Sequence, residues 1–253
     1  MGMRVRNRNI QQRISDQLKK YNLVYNEATG LYDCDGDIKV EQDLVSPDGK
    51  LVINFGVVKG YFNCRDNKLT SLKGAPQVVG EGFDCSFNKL TSLKGSPQEV
   101  GGSFDCYSNQ LTSLEGAPKE VVGSFYCGSN KLTSLEGAPQ KVGGYFVCDF
   151  NKLTSLEGAP QVVGRNFSCS YNKLTSLEGA PQEVGVIFYC DNNKLTSLKG
   201  APQKVGEDFD CHNNKLIFDE THFYGCLPDV IGGKLKSDDG CDYELAKDYY
   251  DNK

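Results

Sequence analysis

The sequence predicts a β-rich solenoid: a right-handed coil with one short parallel strand in each repeat and a cap at both ends. A segment of 21 residues recurs along most of the chain. Each copy contains an F-x-C alternation, which is typical of a half-buried strand. Each copy also carries Gly and Pro at fixed places, where the chain can turn. Repeats of this kind indicate stacked coils in which each coil contacts only its neighbours.

Composition and charge narrow the classes of function. The chain has 253 residues, of which 38% are hydrophobic, and a net charge of −5. A thin solenoid suits this low hydrophobic content, because every core side chain lies close to a surface. The negative charge makes nucleic-acid binding through phosphates a poor candidate. The chain has no apolar run near the ~20 residues that cross a membrane and no secretory signal, so we expect a cytoplasmic protein without membrane contact.

Residues 1–30 precede the repeats and predict a helical, basic N-terminal cap. Apolar residues recur there at helical spacing, namely at Ile10, Ile14 and Leu18. A basic arm that binds nucleic acid or a protein partner is the alternative, and it would be led by Arg4, Arg6 and Arg8. Residues 31–58 predict a degenerate first coil, in which Leu31 to Cys34 open a strand and Ser46 to Gly49 form a turn.

Residues 59–216 form the predicted repeat solenoid. Side chains alternate along a strand, so Phe83 and Cys85 are predicted to face inward and Asp84 outward. The Leu, Leu and Val positions that follow complete the inward columns, and the segment around Pro97 is expected to be polyproline-like and to form the back of the coil. The repeated Asn column, exemplified by Asn130, predicts an internal ladder that satisfies backbone groups. An amide-lined ligand groove is the alternative.

Eight cysteines follow the same period and are predicted to be buried, reduced and unbridged. A metal site needs ligands that converge on one point, whereas one Cys per coil forms a straight column of small apolar side chains. Free thiols in this number indicate a reducing compartment. We therefore expect no metal and no cofactor. The column consists of Cys64, Cys85, Cys106, Cys127, Cys148, Cys169, Cys190 and Cys211.

Residues 217–253 break the period and predict an acidic C-terminal cap. His212 and His222 are interpreted as ordinary cap residues, because neither forms a local motif with a nucleophile. The chain contains no phosphate-binding glycine loop that ends in Lys-Ser or Lys-Thr. We therefore expect no catalytic residues and no enzyme activity.

The repeat motif resembles that of leucine-rich-repeat proteins. The pattern F-x-C-x-x-N-x-L, as in Phe83 to Leu90, is similar to their L-x-L-x-x-N-x-L strand segment. The continuation L-T-S-L-E-G-A-P resembles the short bacterial-effector class, although Phe and Cys replace the strand leucines and Gly-Ala-Pro departs from the class pattern. The whole unit looks like repeat proteins of large tailed bacteriophages. This resemblance implies a concave strand face, and an infected bacterial host or a virion as the location.

Outward strand positions vary between copies and predict the binding surface. Exposed aromatic and acidic side chains there indicate a non-enzymatic protein-binding module with a concave face. Its partner would be a protein, either through a basic segment or as another virion protein. A structural phage protein, acting as a virion or capsid-associated spacer or decoration, is the alternative function. Drift on an unconstrained surface is the other explanation for the variation. The predicted partner-binding residues are Phe87, Tyr107, Tyr126, Tyr145, Phe150, Tyr171, Tyr189, Asp84, Asp105, Asp149 and Asp191.

Overall fold

A computed structural model of the chain describes residues 12, 14–216 and 230–237. The chain is a β-solenoid in which parallel strands stack at the 21-residue period, as the sequence predicts. Most of the predicted acidic cap, including His222, lies outside the described residues, as do Arg4, Arg6 and Arg8. Residues 230–237 were assigned to that cap, but they add a further strand to each face of the stack.

A ten-stranded parallel sheet, here called the front sheet, takes one strand from each coil. Its register places each Phe beside the Phe of the next coil, as with Phe104 and Phe125. The alternation F-x-C therefore does form the predicted strand. The strands are Ile38–Lys39, Phe62–Asn63, Phe83–Asp84, Phe104–Asp105, Phe125–Tyr126, Phe146–Val147, Phe167–Ser168, Phe188–Tyr189, Phe209–Asp210 and Leu235–Lys236.

Each repeat also contributes a second strand, which the sequence did not predict; the strand predicted at Leu31 to Cys34 is present and belongs to the same side of the stack. The second strand follows the Pro, where we expected polyproline-like chain, and it builds two back sheets. The first back sheet contains Val24–Asn26, Leu31–Cys34, Phe55–Val58, Val78–Val79 and Glu99–Val100. The second contains Glu120–Val121, Lys141–Val142, Val162–Val163, Glu183–Val184, Lys204–Val205 and Val230–Ile231. All pairings in these sheets are parallel except that of the first two strands.

The back sheets are separate because one glycine of a repeated column is replaced. From Val78–Val79 onward, each back strand except Glu120–Val121 is followed by a glycine that lies close to the coil before it. A Cβ at Gly101 would lie 2.0 Å from the Gly80 carbonyl oxygen, so only glycine permits this approach. The equivalent position in the next coil is Val122, a residue that is 71% exposed. The back sheet is interrupted at that coil, between Val100 and Glu120.

The core consists of the predicted inward columns. The Phe, Cys, Leu and Val side chains of the coils are buried. Neighbouring rings from Phe62 to Phe209 stack with their centroids 5.1 to 5.7 Å apart. At the N-terminal end residues 14–20 are helical, and Ile14 and Leu18 pack against the core. There Gln17 Nε2 also donates to Asp43 Oδ2 over 2.7 Å, so this helix contacts the first coil.

The predicted asparagine ladder is present inside the stack. Asn130 is 8% exposed, and its Nδ2 donates to three carbonyl oxygens, including those of Cys106 and Cys127. Its Oδ1 accepts the amide of Leu111 over 2.9 Å. The amide side chain thus satisfies the backbone where the front strand ends, and it joins neighbouring coils.

The periodic cysteines are buried and unbridged, as predicted. Burial raises the pKa of the seven thiols from Cys64 to Cys190, among them Cys85 and Cys148. The Cys148 thiol donates to the Ser168 carbonyl oxygen of the next coil over 3.1 Å. These thiols are therefore protonated core groups, and they are poor nucleophiles because the thiolate is the reactive form.

Candidate functional site

The predicted binding residues lie on the outward side of the front sheet, here called the front face. It comprises the strand residue between Phe and Cys, the two residues after each Cys, and the residue before each Phe. The buried Cys side chains point to the opposite side. Three predicted residues are well exposed, namely Phe87, Phe150 and Tyr171 at 41%, 52% and 48%. Six are half-buried, namely Tyr107, Tyr126, Tyr145, Tyr189, Asp105 and Asp149, and two are buried, namely Asp84 and Asp191.

The three exposed aromatic residues share a left-handed backbone conformation. Phe87, Phe150 and Tyr171 each have φ of 55°. The same column holds Asp66 at 52° and Asn192 at 54°, which are residue types that adopt this region readily. For other L-residues the left-handed region costs roughly 1–2 kcal/mol per residue. The aromatic residues therefore occupy positions where the backbone favours Asn, Asp or Gly.

The first aromatic cluster on the front face contains a cation of its own. The guanidinium of Arg65 lies over the Phe87 ring with Cζ 4.2 Å from the ring centroid. Its Nη1 donates to Ser86 Oγ over 3.2 Å. The Phe87 and Tyr107 centroids are 5.7 Å apart. The Tyr107 ring in turn lies over Gly128, where a Cβ would come within 2.9 Å of it.

The second cluster is a stacked pair next to a carboxylate. The Phe150 and Tyr171 rings are nearly parallel, at 12°, with centroids 4.4 Å apart. Asp149 Oδ1 accepts hydrogen bonds from Ser168 Oγ over 2.6 Å and from the Ser170 amide over 2.9 Å. Burial raises the pKa of Asp149, against the effect of these hydrogen bonds. A partly desolvated carboxylate thus lies beside two exposed rings.

Two of the remaining tyrosines lie on front strands, Tyr126 between the two clusters and Tyr189 one coil beyond the second. Tyr126 is in register with Asp105 and Val147, and Tyr189 is in register with Ser168 and Asp210. They belong to the front face, but their rings are less exposed than those of Phe150 and Tyr171.

The last predicted tyrosine, Tyr145, and a further one, Tyr61, each lie near charged groups of the front face. Tyr145 contacts Arg165, whose Cζ is 5.8 Å from the ring centroid. Burial raises the pKa of Asp105 to about 6. Burial, together with the charges of Asp84 and Asp105, raises the pKa of Tyr61 to about 12. Closely spaced carboxylates on a partly desolvated face favour a cationic ligand.

A third cluster joins His212 to two carboxylates. His212 directly follows Cys211 in the last repeat, and it lies on the front face, as the outward position after each Cys predicts. Its Nδ1 hydrogen-bonds to Asp210 Oδ1, and its Nε2 lies 4.0 Å from Asp191 Oδ2. One ligand atom of each residue lies within 4.8 Å of the others, an arrangement that could hold a divalent transition metal. Asp191 Oδ1 accepts a hydrogen bond from Ser170 Oγ. One oxygen of these candidate metal ligands therefore already has a partner within the protein.

Two grooves lie elsewhere on the solenoid. One, of about 880 Å³, is lined among others by Phe55, Lys73 and Lys94 near the start of the repeats. A second, of about 470 Å³, lies beside the interruption of the back sheet and includes Val100 and Lys119. Neither includes residues of the aromatic clusters.

Comparison with protein-family models finds none that matches the chain, and comparison with curated proteins finds no matching relative. Among the described residues, no helix is both long enough and apolar enough to span a bilayer. The arrangement of side chains on the front face is therefore the basis for a functional assignment.

Proposed function

We propose that this chain is a non-enzymatic, leucine-rich-repeat-like module that binds a protein partner through its front face. One observation carries the proposal: aromatic side chains stand exposed in the left-handed column at Phe87, Phe150 and Tyr171. Asn192 and Asn213 occupy the same column, and Asn adopts its left-handed backbone conformation at lower cost than Phe or Tyr. Drift would favour such residues, since the aromatic ones cost backbone energy and remain outside the core. Contact with a partner explains why they stand there.

The spread of these side chains favours a protein over a small ligand. Phe87 and Tyr171 are four coils apart, which is roughly 19 Å at the usual strand spacing. Aromatic residues supply contact area in protein interfaces. The carboxylates Asp84, Asp105 and Asp149 lie on the same face, so they complement a basic partner and oppose the phosphates of nucleic acid.

The repeat motif's resemblance to proteins of large tailed bacteriophages makes an infected bacterial cell the proposed setting. In that setting the module would bind a host protein or another phage protein. A spacer or decoration of the virion is the structural alternative, and it would need no binding surface on the front face.

A triple variant tests the proposal, with Phe87, Phe150 and Tyr171 each changed to Asn. Asn already occupies this column, so the fold should persist. The full chain and the variant would each be immobilised, incubated with bacterial lysate and cross-linked to the proteins that they bind. Those proteins would be identified by mass spectrometry. We expect the variant to lose the proteins that the parent retains. Val122→Asn and Val162→Asn serve as controls, since both remove exposed valines away from the front face. Identical capture by the parent and the triple variant would contradict the proposal and favour the spacer role.

A further inference from the structure

The front face contains one guanidinium site that the chain fills itself. Arg65 stacks on Phe87 and donates to Ser86, the residue that precedes Phe87. This arrangement combines an exposed ring in the left-handed column with a hydrogen-bond acceptor immediately before it. The cation comes from the preceding coil. The repeat makes it possible to search for the same arrangement in other coils.

The same arrangement recurs three coils further on, with two changes. Phe150 stands where Phe87 stands, with the same φ of 55°. Asp149 replaces Ser86, so a carboxylate replaces the hydroxyl acceptor. Gly128 replaces Arg65, so the preceding coil supplies no cation from this position. The acceptor is thus stronger than in the filled site, while the arginine of the filled site has no counterpart here.

We infer that Phe150, Asp149 and Tyr171 form a receptor for an arginine side chain in an extended segment of the protein partner. This inference rests on the proposed function and names the chemistry of its partner. Phe150 and Tyr171 stack face to face with their centroids 4.4 Å apart. Each ring covers one face of the other, so the second face of Phe150 is the one on which the guanidinium would stack. The Tyr107 ring lies over Gly128, the residue that occupies the position of Arg65 in the filled site.

Guanidinium fits this site better than the ammonium group of lysine. It is planar, stacks on aromatic rings and donates charge-assisted hydrogen bonds to a carboxylate. Asp149 Oδ1 already accepts from Ser168 and Ser170, so Oδ2 is the oxygen that would accept from the guanidinium. Burial raises the pKa of Asp149, which shows that its charge is poorly solvated. Pairing with a cation offsets that penalty. Arg65 over Phe87 shows that the local geometry accepts this group.

The test uses the full chain and three small probes: N-acetyl-arginine methylamide, its lysine counterpart and its uncharged citrulline counterpart. Binding would be followed by NMR of labelled Phe and Tyr rings. We expect saturable binding of the arginine probe in the millimolar range, with shifts of the Phe150 and Tyr171 resonances. The lysine and citrulline probes should bind at least about five-fold more weakly. Equal binding of all three probes, or no shift of these rings, would overturn the inference.

Variants taken from other coils keep the fold while they change the site. Phe150→Asn matches Asn192 and should abolish binding of the arginine probe. Asp149→Ser matches Ser170 and should weaken it about five-fold or more, whereas Phe150→Tyr should retain it. Phe87→Asn is the control and should leave probe binding unchanged, because Arg65 already occupies that ring. Full affinity of Asp149→Ser, in a chain whose melting curve is unaltered, would overturn the inference.

A competition experiment separates this inference from the proposed function. If Phe150→Asn loses the captured protein and the arginine probe displaces that protein from the parent, both are supported. If the variant loses the protein but the probe fails to displace it, the front face still binds a partner and the arginine receptor is wrong. If the probe binds but no captured protein depends on the front face, the proposed function fails and the receptor for guanidinium remains.

Discussion

Asn130 shows how a single residue type holds this solenoid together. Its side chain makes four hydrogen bonds to backbone groups, and two of these groups, the Cys106 carbonyl and the Leu111 amide, belong to the preceding coil. Three of them, the Cys106 and Cys127 carbonyls and the Leu111 amide, lie where the strand turns away. The fourth, the Gly128 carbonyl, also accepts the Ser108 amide of the preceding coil over 3.0 Å. The column of Asn side chains therefore supplies hydrogen bonds to the backbone at each turn, as a neighbouring strand does along the sheet.

Asn130→Ala should lower the free energy of unfolding by about 1–3 kcal/mol, since it leaves the buried Leu111 amide without its acceptor. Urea denaturation of the full chain measures this. Ser129→Ala is the matched control: it removes a side-chain polar group one residue away and should cost under about 0.5 kcal/mol. Equal losses for both variants would mean that the ladder does not carry this energy.

Asp105 should make stability depend on pH within a defined window. Its folded pKa of about 6 lies above the ordinary value of 3.8, because the carboxyl is partly buried. The folded state therefore holds this proton more tightly than the unfolded state. The stabilisation is present below about pH 4 and is lost as pH rises through about 6. Asp149, whose pKa is also raised, contributes with the same sign.

The measurement is unfolding free energy between pH 4.5 and 7.5. The contribution of Asp105 to the parent should fall by roughly 1–2 kcal/mol over this range, a figure reduced from the full shift because solvent reaches part of the group. Asp105→Asn should remove that part of the slope. Asp33→Asn is the control with opposite sign: its pKa is lowered, so its effect appears below pH 4. If the unfolding free energy of Asp105→Asn depended on pH as strongly as that of the parent, Asp105 would not be the group responsible.

Among single residues, the sequence predicts the core columns but not the backbone of the front face. A column that must be inward and polar, such as that of Asn130, is visible because it does not vary. The left-handed backbone of the column that contains Phe87, Phe150 and Tyr171 could not be predicted, because Phe and Tyr do not indicate a positive φ. Asp66, Asn192 and Asn213 in the same column carried the only signal. The pairing of Arg65 with Phe87 spans neighbouring coils, and local spacing does not reveal it.

At the scale of elements, the front strands were predictable and the back strands were not. F-x-C shows alternation because the front strand is buried on one side. The back strands of the repeats, from Val78–Val79 onward, are two residues long, as in Glu99–Val100 and Lys141–Val142. Such a short segment after a Pro shows no periodicity. Their existence follows from the stacking itself, which brings extended segments of successive coils into register.

The glycine that follows each back strand decides whether neighbouring back strands pair. Val122→Gly should let the amide of residue 122 reach the Val100 carbonyl, as the Gly101 amide reaches that of Val79 over 2.9 Å. The two back sheets should then become one. Amide hydrogen exchange should show a higher protection factor at residue 122. The net stability should change little, since glycine costs roughly 1 kcal/mol of chain entropy.

Gly143→Ala is the opposite change and serves as the control. A Cβ at this position would lie 2.2 Å from the Val122 carbonyl oxygen, so the second back sheet should open at this coil. Exchange of the Gly143 amide, which donates to Val121 over 3.1 Å, should accelerate. Unchanged protection in both variants would show that the interruption has another cause.

At the scale of the whole molecule, the contacts that stabilise the fold recur in every coil along the solenoid axis, whereas the proposed binding residues occur in only some coils. Every coil repeats the same core contacts, so stability accumulates coil by coil. The front face does not repeat: its aromatic residues cluster at Phe87 with Tyr107 and at Phe150 with Tyr171. A coil can thus be removed from the stack without removing the proposed arginine receptor. This separation permits a test of both properties in one variant.

Deletion of residues 80–100 removes one complete coil and joins Val79 to Gly101, a Val-Gly junction that other coils already contain. We expect a folded chain shorter by about 4.8 Å along the axis, measurable by small-angle scattering. Its unfolding free energy should fall, since one coil and one interface are lost, while arginine-probe binding at Phe150 persists. Deletion of residues 80–89 is the control. It removes half a coil, shifts every inward side chain out of register and should abolish cooperative unfolding. A folded half-coil deletion, or an unfolded full-coil deletion, would show that coils are not the independent units of this structure.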